Sequence, residues 1–328
     1  MPTKIGQSPH AFAILAACLF TGSLLGFASV RAIGQERCGT EGLAVQVLGS
    51  GGPFAGTNRA STGYLVWRAG RAVVMVDAGG GTFLRFGEAG ARLDDLYLLA
   101  ITHLHPDHVS DLPALLWLSE RARQRPLKLA GPSGGGPFPD IATFVKRLFD
   151  PTSGAFAVLA GTLGQKGSGV RLDVAVLDVN ALAAPTVLKE DDLEVTAIGV
   201  PHGNSPSVAY RVRVGQLSVV FSSDQTGRDP RFVDFAMGAD VLVMHLAVSM
   251  LASDALTRIH ATPATVGQVA RDAKVRRLVL SHFSQAPPQD PAREAFSLFN
   301  LDQNVAEVKK SYSGPVVPAV DLLCIPVR

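Results

Sequence analysis

From residue 43 the chain alternates apolar with small or polar positions in short bursts. Leu43-Ala44-Val45-Gln46-Val47-Leu48-Gly49 comes first, and after glycine-rich punctuation come Tyr64-Leu65-Val66-Trp67 and Ala72-Val73-Val74-Met75-Val76-Asp77. Runs of this length, rich in β-branched residues and bounded by glycine, predict strands separated by turns. Residues 83–89, 111–124 and 141–149 switch to helical spacing, with Pro113 in a first turn where its missing N–H costs nothing. Further strands are predicted at 95–102 and 127–130. The second half repeats the rhythm, with strands at 193–200, 207–214, 217–222, 241–245 and 277–282 and helices at 230–237 and 263–274. Residues 150–187 are of mixed pattern and read as no clear element, as substrate-facing loops commonly do. Two β-rich halves, each with its own helices, predict an α/β fold, a four-layer αββα sandwich forming one domain over residues 33–328.

The start of the chain departs from this pattern. A polar opening with Lys4 leads into an apolar run over residues 11–30, interrupted by Thr21, Gly22 and Ser23. That is a signal-peptide pattern, with Ala28 and Ala32 as small residues for cleavage, so residues 1–32 are expected to direct export. Uncleaved, the segment is long enough to anchor the protein in a membrane. Leu15-Ala16-Ala17-Cys18 has the form of a lipobox, but the apolar run continues well past Cys18. The expected location is therefore periplasmic or secreted, with membrane contact through this segment alone. Its removal leaves Cys38 and Cys324 in a compartment that permits disulfides. A bond between them is expected, and two buried free thiols are the alternative.

Charge narrows the partners. Thirty basic against 28 acidic residues give a net charge of +2, without the basic excess of a dedicated nucleic-acid binder. A small-molecule or ester substrate fits this balance, and homo-oligomerisation is compatible with it.

The chemistry is concentrated in Thr102-His103-Leu104-His105-Pro106-Asp107-His108, just after an apolar strand. Imidazole and carboxylate are zinc ligands, and a catalytic zinc site keeps one position open. His103 and His105 can face one way by the two-residue period of a strand, while the following turn carries Asp107 and His108 to a neighbouring position. One segment can thus serve two metals. His202 follows Val200-Pro201, Asp224 follows Phe221-Ser222-Ser223, and His282 follows Leu278-Val279-Leu280-Ser281. Singly, each is as easily structural as ligating; their shared placement at strand ends points to metal.

In order, these segments resemble the metallo-β-lactamase superfamily, above all its ribonuclease Z-like and phosphodiesterase-like branch. The likeness runs over about residues 43–283 and rests on Val-Asp-Ala-Gly at Asp77, the Thr-His-x-His-x-Asp-His segment, Pro-His-Gly-Asn at His202, Ser-Ser-Asp-Gln-Thr at Asp224 and Leu-Ser-His-Phe-Ser at His282. The resemblance implies that His103, His105 and His202 hold one zinc, that Asp107, His108 and His282 hold a second, and that Asp224 bridges them. It implies that Asp77 orients a ligand histidine, the alternative being an aspartate that caps a turn before glycines. His260-Ala261-Thr262 is similar to the family's His-Ser-Thr segment, which places a histidine near the scissile phosphate. Otherwise His260 merely precedes a helix capped by Thr262 and begun by Pro263.

The departures matter. Ribonuclease Z-like enzymes typically carry His-Glu where this chain has His245-Leu246, so the carboxylate that supports the catalytic histidine is missing. The spacing from His202 to Asp224 leaves no room for their insertion, and no basic Gly/Pro arm for gripping transfer RNA is evident. Class B β-lactamases commonly use a cysteine ligand, and no cysteine lies near Asp224. Di-iron relatives usually place an acid in the first motif where His105 stands, which favours zinc over iron or manganese. The expected activity is that of an exported dinuclear zinc hydrolase using a metal-bridging hydroxide on a phosphodiester or a related ester such as an aryl sulfate or lactone. Asp107 is expected to orient the nucleophile and His260 to assist the leaving group. The alternatives are β-lactam hydrolysis and a zinc-binding protein without catalysis.

Overall fold

The computed structural model describes residues 38–55, 57–117, 125–164 and 170–328; the expected signal segment lies outside them. The first half supplies β1 (Leu43–Gly49), β2 (Gly63–Arg68), β3 (Arg71–Val76), β4 (Leu98–Ala100), β5 (Leu127–Pro132) and β6 (Leu172–Leu177). The second supplies β7 (Thr186–Glu190), β8 (Leu193–Val200), β9 (Ser207–Val214), β10 (Leu217–Phe221), β11 (Val241–His245), β12 (Leu278–Ser281), β13 (Val316–Pro318) and β14 (Cys324–Val327).

They form two seven-stranded sheets, β14-β1-β2-β3-β4-β5-β6 and β13-β12-β11-β10-β9-β8-β7. Both sheets are built alike. Antiparallel pairing runs from β14 through β1 and β2 to β3, and from β7 through β8 and β9 to β10. The remaining strands pair in parallel. Parallel strands need cover on both faces, and β4, β11 and β12 are accordingly buried at every position.

Side-chain alternation divides the core into layers. In β2 and β3, Tyr64, Val66, Val74 and Val76 join the cluster between the sheets, with Val195, Val212 and Val243. Their neighbours Leu65, Trp67 and Met75 point the other way, into a second cluster with Phe86, Ile141 and Phe149 from the helices Thr82–Glu88 and Ile141–Phe149. On the far side Phe232, Val266 and Val305, from the helices Pro230–Ala236, Pro263–Asp272 and Leu301–Ser311, cover the second sheet. This is the four-layer αββα sandwich.

Several elements depart from the sequence-based expectation. β6 falls within residues 150–187, where no element is expected, and β7 begins at their end. The strand expected over 95–102 is only the short β4, preceded by a 3₁₀ turn at Leu93–Asp95, so the histidine segment leaves its strand early. The helix expected over 111–124 is present at Leu112–Trp117, after a separate single turn at Pro106–Val109, and residues 118–124 lie outside the description. The C-terminal region adds Leu301–Ser311, β13 and β14. The expected disulfide is present, with Cys38 and Cys324 at a Cα separation of 5.4 Å, and it ties the edge strand β14 to the start of the described chain.

Candidate metal centre

The ligand segments all leave the strands at one end of the sandwich. Asp77 follows β3, His103 lies just beyond β4, and Asp224, His245 and His282 follow or end β10, β11 and β12. Three of these turns use left-handed backbone at residues other than glycine, with φ of 59° at Asp77, 60° at Ser223 and 59° at His282. Such conformations cost free energy and persist where the surroundings hold them, commonly at functional sites. Gly79 is equally constrained, because a Cβ there would lie 2.0 Å from the Asp107 carbonyl oxygen.

Asp77 is fully buried and accepts hydrogen bonds from the Thr102 amide at 2.7 Å, the Thr102 hydroxyl at 2.9 Å and His108 Nδ1 at 2.8 Å. Both its oxygens are used, so it orients His108 and leaves Nε2 of that ring facing inward. His202 is fixed in the same manner, Nδ1 donating to the Ile259 carbonyl at 2.8 Å.

The seven sequence-predicted ligands converge in two groups. His103, His105, His202 and Asp224 place their ligand atoms within 4.8 Å of one another, as do Asp107, His108 and His282. Asp224 reaches both groups: Oδ2 is 3.6 Å from His202 Nε2 and 3.9 Å from His103 Nε2, while Oδ1 is 3.3 Å from His282 Nε2. His260 also arrives, its Nδ1 3.9 Å from Asp224 Oδ2 and its ring 5.2 Å from that of His202. Leu246 is buried in the core, and among the described carboxylates Asp224 is the one recorded near His260. All seven histidines among the described residues therefore meet here.

His245 was overlooked as a site residue by the sequence analysis, although the same signal was there. It ends β11 beside Ser281 of β12, one residue before His282. Its Nδ1 lies 2.6 Å from Asp224 Oδ1.

The donor set fits cations. His103 Nε2 and His105 Nδ1 stand 3.0 Å apart, and His108 Nε2 and His282 Nε2 3.2 Å apart, so ring nitrogens point at one another rather than at ordinary partners. Burial, reinforced by the neighbouring imidazoles, holds His103 well below and His105 below the usual histidine range, leaving lone pairs available. Burial pushes the Asp107 carboxyl up, but His108 and His282 outweigh it and bring the group down to about 2. Asp224 is likewise driven well below its ordinary range, burial being overcome by His282, His245 and the other surrounding imidazoles. His108 goes the opposite way: burial lowers it, but Asp107 and Asp77 raise it to about 9. A metal-free centre thus holds a proton near neutrality at the His108–His282 pair, and only one hydrogen fits between the two Nε2 atoms.

That proton must leave when both rings become ligands. Metal uptake at pH 7 is expected to release about one proton per chain from this pair, fading above about pH 9. Calorimetric titration in buffers of different ionisation enthalpy measures it, and release that does not change with pH would refute the assignment. For the metal-free fold, the raised His108 value stabilises fully below the ordinary value of 6.5 and is lost as pH rises through about 9.

Comparison with known proteins decides the family. Residues 73–283 match the model of the beta-lactamase superfamily domain. The chain belongs to the metallo-β-lactamase superfamily. A ribonuclease Z of Mycobacterium sp. (strain KMS) is 29% identical over 272 residues, covering 77% of this chain and 87% of that protein. That of Methanopyrus kandleri is 28% identical over 273 residues, covering 78% and 93%. The fold is shared with the metallo-beta-lactamase fold protein YhfI of Bacillus subtilis, with a TM-score of 0.65 at 20% identity over 87% of this chain and all of that one. Human tRNase Z, short form, also scores 0.65, at 19% identity over 87% and 99%. As a member of that superfamily the protein is a metal-dependent hydrolase.

Proposed function

We propose that the protein hydrolyses phosphodiesters with two zinc ions per chain, held by His103, His105 and His202 and by Asp107, His108 and His282, with Asp224 shared. The observation that carries this reading is the position of Asp224, whose carboxylate lies between the two ligand groups, with Oδ2 3.6 Å from His202 and 3.9 Å from His108 and Oδ1 3.3 Å from His282. A cation pair held there would bring the pKa of water between the ions towards neutrality and offset charge on the departing oxygen. Manganese or iron would suit the same nitrogen and oxygen donors.

The chain's own residues supply orientation and protons. Asp107, ionised at any working pH, accepts a hydrogen bond from the attacking water and aims it. His260 is lowered to about 4, chiefly by burial, so near neutrality it is an uncharged imidazole. It therefore assists the leaving oxygen by donating an N–H hydrogen bond, not by acting as a preformed acid. Beside His202 a cavity of about 410 Å³ is lined by Gly135, Gly136, Asn180, Asn204 and Ser205. Through Asn180 it draws on residues 150–187, read from sequence as a substrate-facing segment, and a flanking group of the substrate fits there.

The relatives named ribonuclease Z weigh against the expectation of no nucleic-acid partner, so short RNA belongs among the substrates tried. Export is part of the proposal, supported by the apolar N-terminal segment and by the Cys38–Cys324 bond. β-Lactam hydrolysis is disfavoured because the described cysteines are bonded to each other and neither is a ligand. Comparing bis(p-nitrophenyl) phosphate, a short RNA, p-nitrophenyl sulfate, a lactone and a cephalosporin is expected to rank the phosphodiesters first. A cephalosporin or lactone turned over fastest would replace this reading.

A further inference from the structure

Asp224 is gripped from behind as well as facing the ligand groups. His245 Nδ1 is 2.6 Å from Asp224 Oδ1, and His245 Nε2 is 3.1 Å from the Tyr64 hydroxyl. Tyr64 comes from β2 in the opposite sheet and is fully buried, its ring packed on Phe221 at 5.4 Å. The chain Tyr64–His245–Asp224 therefore crosses the interior between the sheets and ends at the shared carboxylate.

Hydrogen-bond chemistry permits one neutral arrangement of this chain. Asp224 as a carboxylate only accepts, so His245 Nδ1 must donate; the other nitrogen of a neutral ring then only accepts, so Tyr64 must donate to it. Fixed in this way, His245 occupies one side of Oδ1 and stacks on His282, with ring centroids 4.6 Å apart and planes 17° from parallel. The carboxylate cannot rotate about its bond without breaking that contact. Oδ1 is kept near His282, and Oδ2 near His103, His202 and His108.

We propose that Tyr64 and His245 are positioning residues that hold Asp224 in its bridging orientation and thereby set retention of the second cation, at Asp107, His108 and His282. The proposal rests on the two-cation reading given above. Hydrogen-bond partners of metal ligands typically change metal affinity about 10–100-fold when removed, which sets the expected size of the effect.

The test is Co²⁺ titration of metal-stripped protein, followed by visible absorption and by metal content after gel filtration, with thermal melts as a check on folding. Wild type is expected to bind two equivalents. His245→Ala is expected to keep the first and bind the second about 10–100-fold more weakly. His245→Asn, whose amide N–H replaces the Nδ1 donor, is expected to restore much of the second step, and Tyr64→Phe to weaken it less than His245→Ala does. Two tight equivalents in His245→Ala would overturn the proposal, as would a folded His245→Asn with no recovery, which would make His245 itself a ligand. If His245→Ala does not fold, Tyr64→Phe and His245→Asn decide: wild-type titrations in both overturn it. Fewer than two equivalents in wild type would instead remove the two-cation reading, before any variant is compared.

Discussion

Asp224→Asn is expected to reduce hydrolysis of bis(p-nitrophenyl) phosphate by a thousandfold or more, at every substrate concentration. The substitution preserves shape and removes the negative charge that six imidazoles, those of His103, His108, His202, His245, His260 and His282, surround within 3.9 Å. It would leave two neighbouring cations without their common anionic ligand. Metal assistance to attack and departure amounts to several kcal/mol, and about 1.4 kcal/mol corresponds to each tenfold in rate. His105→Ala, which opens the first ligand group to water, is expected to fall as far. Rates within tenfold of wild type in both variants, at matched metal content, would sink the catalytic assignment. A large loss in Asp224→Asn alone would restrict the chemistry to the second ligand group.

Reducing the Cys38–Cys324 bond, or replacing Cys324 by serine, is expected to destabilise the fold by about 2–5 kcal/mol. The bond closes a loop of 286 residues, so it removes much conformational freedom from the unfolded chain. At roughly 2–4 °C per kcal/mol for a domain of this size, the melting temperature should drop by roughly 4–20 °C. Matched melts of oxidised, reduced and Cys324→Ser protein measure this. Coincident melts of the oxidised and reduced forms would show that β14 is held by its pairing with β1 alone.

The legible and illegible parts of the sequence divide along a physical line. The strands overlooked by pattern alone were β6, β7, β13 and β14, and these are the four edges of the two sheets. An edge strand has one neighbour and a solvent-facing side, so it needs neither a continuous apolar run nor strict alternation. β6 and β7 are accordingly half exposed. Inner strands such as β11 and β12 are buried throughout and announce themselves. The candidate site was legible for a related reason: its ligands follow those inner strands directly. His245 escaped because it was weighed only as half of a missing His-Glu pair, though it stands at a strand end like the others. What lay beyond reach was its contact with Tyr64, since partners separated by 181 residues leave no mark in local spacing.

The far end of the chain has a stake in the centre that its position would not suggest. Asp321, between β13 and β14, accepts from the amide and hydroxyl of Ser50, the amide of Ala60 and the guanidinium of Arg85. The loop so pinned includes Gly52, where a Cβ would lie 2.9 Å from the His282 ring. Loss of the final strand by nicking or fraying would thus slacken the wall against His282 while every candidate ligand stayed in the polypeptide. Wear at the C-terminus would then silence the enzyme before the bulk of it melts.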